Sequence, residues 1–370
     1  MKLFITGVCG FVGSSLARWF KAASDNVSVF GADNLIRPGS EINRPQLRSM
    51  DIEVFHADIR QSSDLEGLPA ADWVIDASAN PSVLAGVDGR SSSRQLVEHN
   101  LQGTLNLLEY SKRCGAGFVL LSTSRVYSIP LLAQLPMRVS GRAFALDSTG
   151  VLPSGLSAHG IAETFSVAPP VSLYGSTKLA SEIVAFEYGC TFGFPVWVNR
   201  CGVLAGAGQF GTPEQGIFAY WMHAHAARNP LRYIGFGGAG YQVRDAFHPD
   251  DLARLLWVQM NDTQSGGERL FNVGGGAENA MSLAELNSIC DEYFGPHVPE
   301  PDGRERPFDL PWVVMDSQKA KKRFDWKPER RLTSILDEIA HHVRRHPEWL
   351  DVSQGKAAGA IREHAHAECS

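Results

Sequence analysis

The chain reads as an α/β protein, a doubly wound parallel sheet with a smaller C-terminal lobe. Three observations predict this. Short β-branched or aromatic runs alternate with helical patterns through the first 200 residues, as in a parallel sheet covered on both faces. Gly7, Gly10 and Gly13, spaced G-x-x-G-x-x-G, join the first strand to the first helix. The residues just past the strands' carboxyl ends are small, polar or acidic, and open α/β sheets bind ligands there.

The elements follow in order. Lys2-Leu3-Phe4-Ile5 forms a buried strand over 2–6, and Ser14 to Phe20 forms a helix. The glycines between them, with Phe11 and Val12, suit a tight turn, close approach to a pyrophosphate, and close helix–strand contact. A plain glycine-rich turn is the simpler alternative. A secretory leader is excluded because the glycines interrupt the apolar stretch after Lys2. The strand 27–32 ends at Asp33, about 20 residues past the loop, where a carboxylate suits ribose hydroxyls. Asn34 follows it, which favours NAD over NADP, although Arg37 stands nearby. Strands over 53–57, 73–77, 117–122 and 195–200 lead to Asp58 and Ile59, Ala77 to Ala79, Thr123, and Arg200-Cys201.

Helices are predicted over 92–113, which carries Asn100, and over 174–190. Residues 129–170 form a Pro-, Gly- and Ser-rich insertion, expected to serve as a lid or substrate wall. Beyond 200, helices are expected near 214–228, 249–260, 282–294 and 332–345, with strands near 231–236, 243–247 and 270–273. The first domain is assigned to 1–200 plus about 240–275, and the second lobe to about 201–239 and 276–350. Residues 351–370 are read as a loose tail, being poor in apolar anchors.

Tyr174 and Lys178 carry the chemistry. Residues four apart share a helix face. A cation roughly 4 Å from a phenol is worth about 4 kcal/mol at an effective dielectric near 20, or roughly three pKa units. That would turn Tyr174 into a base for a sugar hydroxyl. The bland alternative is a solvated helix face.

Composition narrows the class. The chain has 370 residues, 44% hydrophobic, with 34 Lys+Arg against 40 Asp+Glu and a net charge of −6. This balance and the lack of a long basic run argue against a nucleic-acid partner. No apolar stretch approaches the ~20 residues that span a bilayer. The six cysteines form no C-x-x-C pair, which suits reduced thiols in the cytoplasm. His223, His225, His341, His342 and His346 are read as helix-surface residues rather than metal ligands, and no metal is expected.

With the glycine loop, Asp33, Thr123 and Tyr174/Lys178 in this order, the chain resembles the extended short-chain dehydrogenase/reductase family over about residues 1–350. These are nucleotide-sugar epimerases, dehydratases and decarboxylases with a Rossmann sheet and tightly held NAD. The stretches Leu121–Ser128, Asn199–Gly206, Gln215–Phe218 and Tyr233–Gly238 are similar to the branch that epimerises a CDP-linked 3,6-dideoxyhexose at C2. The resemblance implies catalytic roles for Thr123, Tyr174 and Lys178. It implies cofactor contacts from Gly7, Gly10, Phe11, Val12, Gly13, Asp33, Asn34, Asp58, Ile59, Ala77, Ala79, Asn100, Tyr174, Lys178 and Cys201. Substrate contacts are implied for Ser124, Asn199, Gln215, Arg244 and Arg306, the last two as a diphosphate clamp. Surface ion pairs with neighbouring carboxylates are the alternative for both arginines. A homodimer is the implied assembly.

Two departures from the family refine this. Many relatives carry Asn where Val203 stands, so a UDP-galactose-type pose is disfavoured. The 4,6-dehydratases place an acidic pair after the threonine, whereas Ser124-Arg125 follow Thr123 here; elimination of water needs that extra acid and base. A C4 epimerase or a reductase on another nucleotide sugar is the nearer rival. A catalytically inactive dinucleotide sensor is the distant one.

Overall fold

The structure, a computed structural model, describes residues 1–356 apart from 88, 90, 91, 148 and 263–265. Seven parallel strands form the main sheet. Their order across it is Leu270–Val273, Val196–Cys201, Gly117–Thr123, Trp73–Asp76, Lys2–Thr6, Ser28–Asp33 and Glu53–His56. Chain order reverses between Lys2–Thr6 and Trp73–Asp76, creating the crevice where doubly wound sheets take ligands. All six strands read in the first 200 residues are present, and Leu270–Val273 extends the sheet by one.

Each face is sealed by apolar side chains. On one face Leu3, Ile5, Val119, Trp197 and Phe271 pack with Leu16 and Phe20 of the Phe11–Ala23 helix and Leu252, Leu255 and Leu256 of the Pro249–Met260 helix. On the other, Phe4, Phe118, Leu120 and Val198 meet Leu107 and Leu108 of the Gly103–Cys114 helix.

The helix expected over 92–113 is interrupted. Ser93–Val97 and Gly103–Cys114 are joined by a wide π turn over Glu98–Gln102, and Asn100 lies within it. Such turns free backbone carbonyls and recur at functional sites. Here the Asn100 carbonyl accepts from Thr104 Oγ1 at 2.8 Å and Ser181 Oγ at 3.2 Å.

The second lobe builds its core from helices. Phe218, Trp221 and Met222 pack with Leu286 and Cys290 and with Ile335, Leu336 and Ile339, from helices Ile217–Ala226, Leu283–Phe294 and Leu332–Arg345. Val243–Phe247 pairs with Val203–Leu204, Ala280–Ser282 and Trp312–Val313, not with the main sheet.

Three expectations need correction. The 129–170 insertion holds a short helix, Ile129–Ala133, and two small hairpins. Its apolar residues pack against Leu310, Trp312 and Val314, and none of it lines the main cleft among the described residues. It is a buttress, because Leu132, Leu156, Ile161 and Phe165 give it a core of its own. The first residues of the expected loose tail are packed: 351–353 complete the Trp349–Ser353 helix, and Val352 and Ser353 are buried. The rest of that tail, 357–370, lies outside the described residues. Finally, His223 and His225 are buried, not on the helix surface. His223 pairs with His342 at 3.2 Å, and His225 with Asp291 at 2.9 Å.

Candidate active site

The glycine loop is held from both ends of its turn. Gly7 has φ +62°, and a Cβ on Gly13 would sit 2.1 Å from the Gly7 carbonyl oxygen. That approach brings the Phe11–Ala23 helix onto the strand, so Gly13 admits no larger residue. No side chain caps this helix and no acidic residue occupies its first turn. Its free amides therefore suit an anion such as a pyrophosphate. Phe11 and Val12 open that first turn, beside the loop.

Asp33 stands where expected, at the strand end beside the loop. Its carboxylate accepts from Cys9 N at 2.9 Å and Leu35 N at 2.8 Å. Burial raises its pKa, and these amide hydrogen bonds work against the rise. Each oxygen keeps acceptor capacity for a ribose hydroxyl. Arg37, the residue that left NADP open, is diverted: it donates to Gln215 Oε1 at 2.7 Å and to the Phe210 carbonyl. The positions that could fit a dinucleotide thus favour one without a 2′-phosphate.

Several expected cofactor contacts are committed within the protein. Asp58 holds Arg60 at 2.5–3.0 Å and accepts from Asn34 Nδ2 at 3.1 Å. The Arg60 hydrogen bond holds its carboxyl well below the usual range. Asn100 bridges the Asn80 backbone and Thr177, accepting from Asn80 N at 2.8 Å and donating to Asn80 O at 3.1 Å and Thr177 Oγ1 at 3.2 Å. Its side chain ties two walls of the crevice together. Ile59 is buried in the sheet-face core, and Ala77 packs at the edge of the opposite core. Ala79 follows on the exit loop, near Ser78, which donates to Thr6 Oγ1 at 2.9 Å.

Tyr174 and Lys178 share one face of the Ser172–Phe192 helix, and both are buried, Lys178 to 2% exposure. Burial pushes the Tyr174 phenol up to about 12. A hydrogen bond from Thr123 and the Arg125 charge oppose that rise. Lys178 lies one helical turn on from the phenol. Its own pKa is lowered by burial, and its favourable partners are Asp76, Glu182 and Cys201. Thr123 Oγ1 accepts from Arg125 N at 3.2 Å, which leaves the hydroxyl proton for the phenol oxygen. Burial also raises the Cys201 thiol to about 12, so it serves as an inert wall. Ser124 is buried directly after Thr123.

Beneath this group lies a buried polar layer. Arg200 pairs with Glu182 at 2.7 Å, and Ser122 donates to the same carboxylate. Tyr127 accepts from Arg200 at 3.3 Å and donates to Asn272 Oδ1 at 2.6 Å.

A cleft of ≈ 350 Å³ opens between the sheet and the second lobe. Gln215, Arg244 and Arg306 line it together with Arg125, Phe308 and Asp309. Arg244 donates to Asp309 Oδ1 at 3.3 Å, and Arg306 to the Pro213 carbonyl at 3.2 Å. Of the five expected substrate residues, Gln215, Arg244 and Arg306 line the cleft, whereas the buried Ser124 and Asn199 do not. Asn199 is fully buried in the sheet, and its amide exchanges two hydrogen bonds of 2.9 Å with Gln259. Its strand position sends it towards the Pro249–Met260 helix. Arg125 was missed: the sequence showed it only as the residue displacing a dehydratase's acidic pair, and nothing local placed it in the cleft.

Comparison with known proteins agrees with this fold. The chain is 29% identical over 339 residues to the CDP-paratose 2-epimerase of Salmonella typhi, covering 89% of this chain and 95% of that protein. It is 25% identical to dTDP-glucose 4,6-dehydratase 1 of Escherichia coli, covering 95% of each. The Thermus thermophilus UDP-glucose 4-epimerase, solved as a complex with NAD, superposes with a TM-score of 0.72 at 24% identity, covering 93% of this chain and 99% of that one. The sequence model for the NAD dependent epimerase/dehydratase family matches residues 3–274. With that match over most of its length, the chain belongs to the NAD dependent epimerase/dehydratase family, and NAD is its cofactor.

Proposed function

We propose that the chain epimerises a nucleotide-diphosphate sugar through a transient keto intermediate, and that the reaction is inversion at C2 of CDP-paratose to give CDP-tyvelose. One observation carries the epimerase reading. Thr123, Tyr174 and Lys178 come together beside an arginine-lined cleft, and Ser124-Arg125 replace the acid and base that sugar dehydration needs. The finer assignment is supported by the stretches Leu121–Ser128 and Asn199–Gly206 and by the Salmonella relative.

The glycine loop, Asp33 and the uncapped helix start would hold NAD, which when bound supplies the acceptor and returning donor of the hydride. Tyr174 takes the proton from the hydroxyl on the reacting carbon. Thr123 hydrogen-bonds the same oxygen and holds it in line. Lys178, whose charge Asp76 and Glu182 favour against its burial, supports the phenolate from one helical turn away. Arg244 and Arg306 grip the diphosphate while the keto-sugar turns, and Tyr174 returns the proton to the oxygen after the hydride arrives on the opposite face. Self-association as a dimer in the cytoplasm belongs to the same reading and rests on the family resemblance. Among the described residues, no helix is long and apolar enough to cross a membrane.

A substrate panel tests the reading. Purified protein is incubated with CDP-paratose, UDP-glucuronate, UDP-glucose and dTDP-glucose, and products are identified by NMR. CDP-tyvelose from CDP-paratose is the expected product. Inversion only at C4 of a UDP sugar would replace the finer assignment, and a 4-keto-6-deoxy product would overturn the epimerase reading.

A further inference from the structure

We propose that Arg125 is a third arginine of the diphosphate clamp, the one that sets the distance between the phosphates and the reacting sugar carbon. The proposal rests on the nucleotide-sugar reading above and adds a residue to the same site.

The backbone of Arg125 is anchored to the catalytic group. Its amide donates to Thr123 Oγ1 at 3.2 Å. Its carbonyl lies against the catalytic helix so closely that a Cβ on Gly175 would stand 2.3 Å from it. Gly175 is the residue after Tyr174, so Arg125 cannot shift without moving the phenol. The side chain runs the other way, into the cleft, where Nη1 donates to the Phe308 carbonyl at 3.0 Å. Phe308 lies two residues from Arg306 and beside Asp309, the partner of Arg244. One residue thus spans from the base to the clamp.

Charge points to the same ligand. The cleft is lined by Arg125, Arg232, Arg244 and Arg306 against Glu214 and Asp309; with Arg232 paired to Glu300 at 3.0 Å, an excess of positive charge remains among Arg125, Arg244 and Arg306, which suits a diphosphate. Arg125 feels both other clamp arginines, and burial with their repulsion lowers its pKa to about 10. Crowding of like charges in a partly buried cleft is unfavourable until an anion enters. Val203 also lines the cleft. Its isopropyl group cannot donate to a phosphate, and the guanidinium of Arg125 supplies donors that this wall lacks.

The test uses NAD-loaded protein titrated calorimetrically with UDP-glucuronate and with CDP, UDP and dTDP. Arg125→Met should weaken the tightest of these by roughly 10–100-fold, the scale of a lost charged hydrogen bond. NAD content and melting temperature should not change. Arg125→Gln, which keeps a donor for Phe308, guards against loss of the loop and should show the same loss of affinity. Removing the cation also removes a charge that favours the Tyr174 phenolate. The acid limb of kcat/KM for CDP-paratose should therefore move to higher pH, a response that a purely structural residue would not give. Unchanged nucleoside diphosphate affinity in both variants would overturn the proposal while leaving the epimerase reading intact. So would a defect confined to UDP-glucuronate, which would assign Arg125 to a sugar carboxylate. Wild-type protein that binds none of the three diphosphates would defeat both readings.

Discussion

The dinucleotide half and the substrate cleft solve opposite electrostatic problems. In the first, carboxylates are already satisfied: Asp33 by backbone amides, Asp58 by Arg60 and Asn34, Asp76 by Thr6, Ser78 and Thr104. Recognition there uses an uncapped helix start and a glycine turn. In the cleft, arginines outnumber carboxylates, and Asp309 alone is shared between Arg244, Gln242 and a backbone amide. A cofactor held through the whole catalytic cycle suits a preformed, charge-balanced cradle. A substrate that must enter and leave suits a cleft whose repulsion is relieved by its own diphosphate.

Variants on the two sides should therefore fail differently. Tyr174→Phe sits at the junction and should show the largest effect, a fall in turnover of ~10²–10⁴-fold with NAD content unchanged. More than half of normal turnover would rule out the phenol as base. Next, Arg244→Met should raise KM for the nucleotide sugar by roughly 10–100-fold without loss of NAD. Loss of NAD from that variant would break the separation of the two halves. On the other side, Gly13→Ala forces a methyl against the Gly7 carbonyl and should destabilise by about 1–3 kcal/mol, read as a lower melting temperature and less copurified NAD.

The smallest effect is a pH dependence confined to the second lobe. Burial lowers His223 to about 3 and His342 to about 4. Unfolded histidines titrate near 6.5, so the unfolded chain binds protons that the folded pair refuses. The stability tied to neutral His223 and His342 is full above about pH 6.5 and falls as pH drops towards 4. His223→Leu should flatten the melting-temperature profile between pH 6.5 and 4. An unchanged slope would place the acid sensitivity elsewhere.

The two halves also differed in how far they could be read in the sequence. Gly7, Gly10, Gly13 and Asp33 lie within one strand–helix–strand unit, so spacing alone positions them. Tyr174 and Lys178 are likewise local, one helical turn apart. The cleft draws Arg125, Gln215, Arg244 and Arg306 from four distant segments, and only the resemblance brought three of them together. Asn199 failed for a related reason: alternation along a strand decides which face a side chain takes, and its partner Gln259 lies 60 residues away. Helix geometry places Lys178 near Tyr174 but says nothing of Asp76 or Glu182, whose charges raise the pKa of the buried lysine against its desolvation. The π turn at Asn100 was hidden because its amphipathic pattern continues through the interruption.

The central claim is that the sugar carbon is oxidised and reduced rather than deprotonated. Incubation of the holoenzyme with C2-deuterated CDP-paratose in ordinary water, and with unlabelled substrate in heavy water, tests it directly. The account predicts inverted product that keeps its C2 deuterium in the first case and gains none on carbon in the second. Solvent deuterium at the inverted carbon, or loss of the substrate label to water, would contradict it.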